Sequence, residues 1–521
     1  MKSTTPDTLA AMQPSSLSAL LSTIKARRIR MKGDPFVRGL AYDSRTVKEG
    51  YLFFAFEGLH TDGHLYVTDA IKRGAVGIVH SKELPSYRDG VCYVQVTDTR
   101  KALAHMASAF YGHPSKTLTV IGVTGTDGKS TTVWFIQQLL EKLGRRSGFI
   151  STVDMKTGGS VEKNPLRQST PEAVEIQKLL GDIRDRGNEF AVVEATSHGL
   201  SKKTHRLTGV FFDVAVLTNV THEHLEFHGS LEQYREDKAN LFRALGKVKK
   251  GSPCFGVVNR DDPHYRLFIE ATSYPVYSFS LKNPEADLYA RIINLEERGT
   301  DFAMTMEDEE VLARLNLSGI FQLEDLMAAA LAVGKLLSRP LKELAPLFPS
   351  LRGVMGRMEF LELGQSYRVI VDFAHTPEAF QKLFATVRSF ATGRIIAVFG
   401  SAGERDVAKR PLQGKIACEG ADVVILTDED PRQEDREKIL EDIAEGCKAK
   451  KRGEGLFLEP DRRTAIRMAL EMAREDDTVL CLGKGHEGSI IYRDGPIPWN
   501  EVKITREILQ DVIGAEKQGS C

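Results

Sequence analysis

Residues 117–132 constrain the fold more tightly than any other stretch. A β-branched run, Thr117–Val123, enters a glycine-rich turn, and a segment with apolar residues at 133, 136, 139, 140 and 143 follows. That order is strand, loop, helix. The turn reads Gly122-Val-Thr-Gly-Thr-Asp-Gly-Lys-Ser-Thr-Thr132. Gly125 and Gly128 let the backbone turn tightly and aim N–H groups at phosphate oxygens. A helix starting near Ser130 adds its positive N-terminal end. Lys129 can reach the outer phosphates, and the Ser130 hydroxyl can ligate Mg²⁺. The strict phosphate-loop spacing wants glycine where Val123 stands, so the segment is a variant of that loop.

The chain has 521 residues, which suggests about three domains. Lys+Arg 70 against Asp+Glu 71 leaves a net charge of −1, which argues against a broad nucleic-acid surface and against attraction to anionic membrane. No run approaches ~18 apolar residues, so no membrane insertion is expected. No secretory signal is visible at residues 1–25. The six cysteines show no CxxC spacing, so the expectation is reduced thiols in a cytoplasmic protein.

Residues 1–113 read as a small α/β domain, with strand runs at 51–55, 76–79 and 93–96 and a helical pattern over 101–111. Gly112-His-Pro-Ser115 is turn-like and marks a boundary. Residues 114–350 form a second domain with buried-strand candidates at 190–193, 214–217 and 255–258, hence a mostly parallel sheet covered on both faces. Residues 351–521 form a third, with strands at 369–371, 395–398, 423–426 and 478–482, as in a doubly wound sheet. The expected class is therefore α/β in three domains, the central one P-loop ATPase-like and the last Rossmann-like. The charge run 428–438 and the basic stretch 448–452 are expected to be solvated surface.

Phe190-Ala-Val-Val-Glu194 ends a strand in a carboxylate, at the strand end where parallel sheets hold ligands. Histidines 222, 224 and 228 invite a zinc reading. No cysteine lies near them, and the glycine loop already implies Mg²⁺, an oxygen-preferring ion. Residues 231, 234, 241, 242 and 245 form a helical apolar stripe, and Lys238 lies on it. Two readings stay open for Lys238: an ammonium that snorkels or pairs with a carboxylate, or a modified or metal-associated lysine.

Together these segments resemble the Mur ligases, the ATP-dependent amide-forming enzymes of peptidoglycan synthesis, over nearly the whole chain. Within that family the likeness is strongest to the branch that adds the third, diamino, residue. Asp43-Ser-Arg45, Gly50 and Leu52-Phe-Phe-Ala-Phe-Glu-Gly58 are similar to the family's uridine-nucleotide signature. The resemblance implies that Ser44, Ser169, Thr170, Ser197 and Arg206 hold UDP-N-acetylmuramoyl-L-Ala-D-Glu. It implies that Gly125, Thr126, Asp127, Gly128, Lys129, Ser130 and Thr131 hold ATP. Gly356-Arg-Met-Glu359, Asp372-Phe-Ala-His-Thr-Pro377, Gly400–Asp406 and Lys409-Arg-Pro411 also match, with Arg357, Asp372 and His375 facing the nucleotide. Catalytic roles fall on Lys129, Glu194, His224 and Lys238. Ser130, Glu194 and His224 would ligate Mg²⁺, and Lys238 would be carbamylated (N6-carboxylysine), turning a buried cation into an anion. Asp430, Arg432, Gly483 and Glu487 would receive the incoming amino acid. No nucleic-acid partner is implied, and the enzyme is expected to act as a cytoplasmic monomer whose domains close over an acyl phosphate.

Three departures stand out. The family's Asp-His-Leu-Asp-Tyr-His is Glu223-His-Leu-Glu-Phe-His228, the asparagines near the nucleotide are Gln322 and Asp325, and the amino-acid selector reads Glu429-Asp-Pro-Arg432. Arg432 can pair with a second carboxylate, whereas Asp430 favours a terminal ammonium. On balance L-lysine or L-ornithine is expected over meso-diaminopimelate. A folylpolyglutamate-synthetase-like ligase fits less well, because it has no counterpart of residues 43–58. A P-loop NTPase switch would hydrolyse nucleotide without an amine acceptor. A binding module that has lost catalysis is disfavoured by the intact Lys129, Glu194, His224 and Lys238.

Overall fold

Strand-forming runs and capped helices alternate along the chain. The computed structural model describes residues 15–58, 61–166, 168–221 and 225–519, apart from the side chains of 225, 226 and 516–519. It divides into two compact units, one built from the chain up to Gly122 with Arg146–Val214 and Asp237–Cys254, the other from Val123–Arg145, Ala215–Glu236 and Phe255 onward.

The first unit opens with β1 (Arg28–Arg30), β2 (Gly39–Ala41), β3 (Tyr51–Ala55), β4 (Ala75–His80), β5 (Cys92–Gln95) and α1 (Thr99–Phe110). The sheet order is β1-β5-β4-β3-β2, parallel except for the antiparallel edge β1. Leu52, Phe53, Phe54 and Ala55 are all buried, as a strand covered on both faces requires. Leu52, Phe54 and Val94 pack with Leu103, Met106 and Phe110 of α1, and Phe53, Ile78 and Tyr93 fill the other face. The Asp98 side chain accepts from the Lys101 N–H and starts α1.

β6 (Thr119–Thr124), α2 (Lys129–Lys142), β7 (Ser147–Ile150), α3 (Ala173–Asp185), β8 (Phe190–Glu194), β9 (Val214–Leu217) and α4 (Leu231–Arg243) follow. The unit boundary falls within β6 and β9. In the first unit β7 and β8 run parallel, Phe190 opposite Ser147 and Val193 opposite Ile150.

The second unit continues with β10 (Phe255–Asn259), β11 (Val276–Ser280), β12 (Leu288–Glu296), β13 (Gly299–Met306), β14 (Glu309–Leu315) and α5 (Ile320–Leu337). β10, β11 and β12 are parallel neighbours, but β12, β13 and β14 form an antiparallel meander that a mostly parallel sheet does not foresee. The β13–β14 turn places Glu307 and Asp308 at φ 51° and 64°. That is the positive-φ hairpin geometry usually signalled by Asn-Gly, here made without either residue.

The last part is β15 (Arg368–Asp372), α6 (Pro377–Arg388), β16 (Ile395–Phe399), α7 (Lys409–Gly420), β17 (Val423–Leu426), α8 (Arg436–Ala444), β18 (Leu456–Leu458), α9 (Arg462–Met472), β19 (Thr478–Leu482) and α10 (Glu501–Gly519). The sheet runs β15-β19-β16-β17-β18, all parallel, with the short antiparallel strand Glu359–Phe360 outside β15. α6, α7 and α8 cover one face and α9 and α10 the other, as expected of a doubly wound sheet.

Two expectations fail here. Cys418 and Cys447 are joined as a disulfide, whereas Cys92, Cys254 and Cys481 are free thiols and Cys521 lies outside the described residues. The reason is helix approach. A Cβ on Gly414 would lie 1.9 Å from the Ile443 carbonyl oxygen, and one on Gly446 would lie 1.9 Å from that of Pro411. With no side chains there, α7 and the end of α8 come close enough to set the two cysteine Cα atoms 5.4 Å apart. The charge run 428–438 is only half solvated, because Asp428, Glu429 and Asp430 are buried at the end of β17. Lys448, Lys451 and Arg452 are exposed, as expected. Among the described residues no helix is long and apolar enough to cross a membrane.

Gly446→Ala is expected to destabilise the fold by about 1–3 kcal/mol, because the methyl meets backbone that cannot move aside. The midpoint of urea unfolding measures this, and an unchanged midpoint would contradict the close-approach argument.

Candidate active site

β6 delivers the chain into the glycine loop, and contacts from the segment after β9 make that loop rigid. A Cβ on Gly125 would fall 1.8 Å from Thr218 Oγ1, so no other residue fits without displacement. Thr218 Oγ1 donates to the Asp127 carbonyl at 2.6 Å, and Asn219 Oδ1 accepts from the Asp127 N–H at 3.0 Å. The Thr126 N–H bonds the Asn219 carbonyl at 2.8 Å, and Thr126 Oγ1 lies 3.0 Å from the Tyr234 hydroxyl. Gly128 takes φ +82° and precedes α2 with no side-chain cap. No side chain of the N-cap residue closes the first turn of α2. Lys129 Nζ donates to the Thr126 carbonyl at 2.6 Å, and Ser130 and Thr131 are buried in the first turn.

Within the same unit a cavity of about 590 Å³ opens beside this loop. Asp127, Gly128, Thr131 and Asn219 line it from one side, Phe321, Gln322, Glu324 and Asp325 from α5, and Arg357, Asp372 and Lys382 from beyond residue 351. The expected Asp127, Gly128, Thr131, Arg357 and Asp372 thus line one cavity, together with Gln322 and Asp325. Asp325 is wholly buried, accepts from Thr132 Oγ1 at 3.1 Å, and sits where a Gly128 Cβ would go. Burial holds its carboxyl well above the usual range. Asp372 accepts from the Met358 and Ala374 N–H groups at 2.7 and 2.6 Å, and burial raises its pKa as well. Arg357 lies over the Phe373 ring at 4.5 Å, and His375 stacks 4.6 Å from the same ring. Lys409 Nζ and Gln413 Nε2 both donate to the His375 carbonyl. The Lys382–Glu324 pair at 2.8 Å, also on the wall, carries no motif in the sequence.

In the first unit Glu194 ends β8 almost fully buried. Its two oxygens accept from the Thr152 N–H at 2.9 Å and the Thr152 hydroxyl at 2.8 Å. Thr170 Oγ1 donates to the Glu194 carbonyl at 2.8 Å and accepts from the Thr196 N–H at 3.1 Å, next to the buried Ser197. Ser169, Thr170, Glu194 and Ser197 are thus gathered at one strand end. Arg206 joins them by donating to the Thr170 carbonyl at 3.0 Å, and its other edge is held by Glu172 at 2.9 Å. Arg100 reaches Glu172 at 3.6 Å and covers Phe56 of the uridine-type signature at 3.9 Å. Ser44 is buried in the turn that follows β2. Lys238 is 1% exposed on α4, so the apolar stripe does bury it. His224 lies outside the described residues.

The segments after β17 and β19 form a compact charge cluster. Lys484 is fully buried and donates to Asp430 Oδ1 at 2.8 Å and to Glu487. Asp430 Oδ1 also accepts from the Ile491 N–H at 3.0 Å. Despite burial, Glu487 and Asp430 keep Lys484 protonated. One oxygen of Asp430 is therefore held inside the protein by Lys484 and the Ile491 N–H. Glu429 Oε2 instead is buried with no hydrogen-bond partner and lies beside Gly483. Arg432 takes φ 56°, a strained conformation for arginine, and its Nε has no partner among the described residues.

Three stretches match family descriptions: residues 36–111 the Mur ligase family catalytic domain, 123–333 the Mur ligase middle domain, and 356–485 the Mur ligase glutamate ligase domain. The UDP-N-acetylmuramyl-tripeptide synthetase of Treponema denticola is 47% identical, covering 92% of this chain and 92% of that one. The same-named protein of Roseiflexus sp. is 47% identical over 92% of this chain and 96% of its own. A UDP-N-acetylmuramoyl-L-alanyl-D-glutamate–2,6-diaminopimelate ligase of Caldanaerobacter subterraneus is 37% identical over 94% and 99%. A solved 2,6-diaminopimelate ligase of that kind superposes with TM-score 0.64 at 29% identity, covering 96% of this chain and 99% of its own. The glycine loop, the cavity beside it and the α/β sheets are those of an ATP-dependent ligase. The chain belongs to the Mur ligase family.

Asp325 stays neutral until pH climbs through its raised pKa, and ionisation then adds an anion beside the phosphate turn. ATP binding is expected to weaken several-fold as pH rises, and Asp325→Asn, neutral throughout, flattens that component. Titrating a fluorescent ATP analogue across the pH range over which the chain stays folded checks this. The same group stabilises the folded chain below the ordinary carboxylate pKa, and that contribution is lost as pH rises through the folded value.

Proposed function

We propose that this chain joins a diamino acid to UDP-N-acetylmuramoyl-L-Ala-D-Glu at the expense of ATP. The likeness to the tripeptide synthetases, extending over nine-tenths of the chain, carries this reading. A carboxylate oxygen of the D-glutamyl residue attacks the γ-phosphorus, the bond to the β-phosphate oxygen breaks, and ADP leaves. The amine then attacks the acyl carbon, phosphate departs, and the new amide nitrogen loses a proton. Residues 1–113 would bind the uridine nucleotide, 114–350 ATP, and 351–521 the amino acid.

Lys129 and the loop N–H groups would offset the negative charge gathering on the γ-phosphate. Arg357, Asp372 and His375 would orient the nucleotide. Thr170, Ser197 and Arg206 would seat the muramoyl peptide, with Ser44 and Ser169 nearby. The buried oxygens of Ser130 and Glu194 are hard donors of the kind Mg²⁺ prefers, and His224 would complete the set. When bound, that ion would supply charge neutralisation between two anionic reactants. Carbamylation would give the deeply buried Lys238 an anionic end suited to a cation-rich centre, a change that intact-mass measurement detects.

The acceptor cluster holds Glu429, Asp430 and Glu487 against Arg432 and Lys484, a formal balance of −1. An amino acid of net charge +1 neutralises it. The partnerless Glu429 oxygen would take the distal ammonium, and Arg432 would take a carboxylate. This supports L-lysine or L-ornithine over meso-diaminopimelate. The expected result of a turnover panel is kcat/KM at least about tenfold higher for the two cationic acceptors, a difference of roughly 1.4 kcal/mol. Preference for meso-diaminopimelate would overturn the charge argument.

Lys129→Ala should lower ADP release by roughly 10²–10³ with an unchanged melting temperature. Retained ADP release that still depends on both co-substrates would sink the role given to that lysine.

A further inference from the structure

This inference rests on the reading that residues 429–432 and 483–487 receive the amino acid. The two segments leave the carboxyl ends of β17 and β19, and β16 stands between those strands. Two interstrand spacings, roughly 9–10 Å, therefore separate them. Beside the direct Lys484–Asp430 pair, a second side chain ties the two strand ends together. Arg462, the first residue of α9, is fully buried. Its Nη1 donates to the Asp428 carbonyl at 2.9 Å and its Nη2 to the Leu482 carbonyl at 2.7 Å. Asp428 immediately precedes Glu429, and Leu482 immediately precedes Gly483. The remaining edge of the guanidinium is held by Glu501, with Nη2 at 2.6 Å from Oε1 and Nε at 3.0 Å from Oε2. Glu501, also fully buried, accepts in turn from Trp499 Nε1 at 2.5 Å.

A buried ion pair is a poor way to hold two helices, because well-packed apolar residues of similar size usually do so at least as stably. What the pair supplies and an apolar contact lacks is a planar fork with fixed donor directions. We infer that Arg462 is a positioning residue that sets the gap between the two receiving segments and so the length of diamino acid accepted. Discrimination by one methylene is the kind of selectivity a fixed gap gives, and loosening it should erode that selectivity. A lysine keeps the charge and can pair with Glu501, but its single ammonium cannot present two donors in those fixed directions.

Two variants test this in the full-length enzyme: Arg462→Lys, and Arg462→Met combined with Glu501→Leu. ADP release is measured with L-lysine, L-ornithine and meso-diaminopimelate, alongside thermal melting. The double variant is expected to melt near the parent. The parent is expected to separate L-lysine from L-ornithine several-fold, and a parent that does not overturns the inference. Both variants are expected to raise acceptor KM about tenfold and to narrow that preference, with kcat and the KM for ATP within about twofold. A folded double variant with parental acceptor KM and preference overturns the inference. So does a proportional fall in every parameter, or failure of both variants to fold, since each marks a purely structural role. If the parent enzyme releases no ADP in response to any diamino acid, the ligase reading fails instead, and the two failures are thereby distinguishable.

Discussion

A glycine-rich turn between strand and helix has few side chains of its own to hold it still. In this chain the burden falls on the contact between residues 125–128 and 218–219. Thr218 and Asn219 bond the carbonyl of Asp127, and Asn219 also takes its N–H and that of Thr126. Gly125 makes room for Thr218, and Gly128 makes room for Asp325. Larger residues at either glycine would separate the loop from the walls of the cavity, so the shape of that cavity depends on two missing side chains as much as on any that is present.

Buried carboxylates are the recurring cost of this architecture, and each is handled differently. Glu194 accepts from the N–H and the hydroxyl of Thr152, one on each oxygen. Asp325 sits among acidic neighbours and is kept neutral by burial. Asp430 and Glu487 share one buried ammonium, that of Lys484. Glu501 is paired with a buried guanidinium. Glu429 keeps a buried oxygen with no hydrogen-bond partner among the described residues.

Much of the fold was legible before any coordinates. The apolar stripe of 133–143 gave α2, and the runs 190–193, 395–398 and 478–482, apolar but for Thr478, gave parallel strands, because burial on two faces leaves few polar positions. The glycine loop was legible because its chemistry is local. The β12–β14 meander was not, since its flanking strands β12 and β14 are largely unburied and its tight turn uses Glu-Asp in place of Asn-Gly. The Cys418–Cys447 bond was hidden because it depends on two glycines that let helices approach, not on cysteine spacing.

The sequence by itself determined which segments become strands and helices, where the phosphate turn lies, and that Lys238 is buried. These follow from periodicity and from residues adjacent in the chain. Tertiary structure alone decided which charges remain available. Asp430 and Lys484 lie 54 residues apart, and Arg206 finds Glu172 across 34. Pairing at that distance is set by how strand ends converge, which no local pattern encodes, and it reassigns the residues that can touch a substrate.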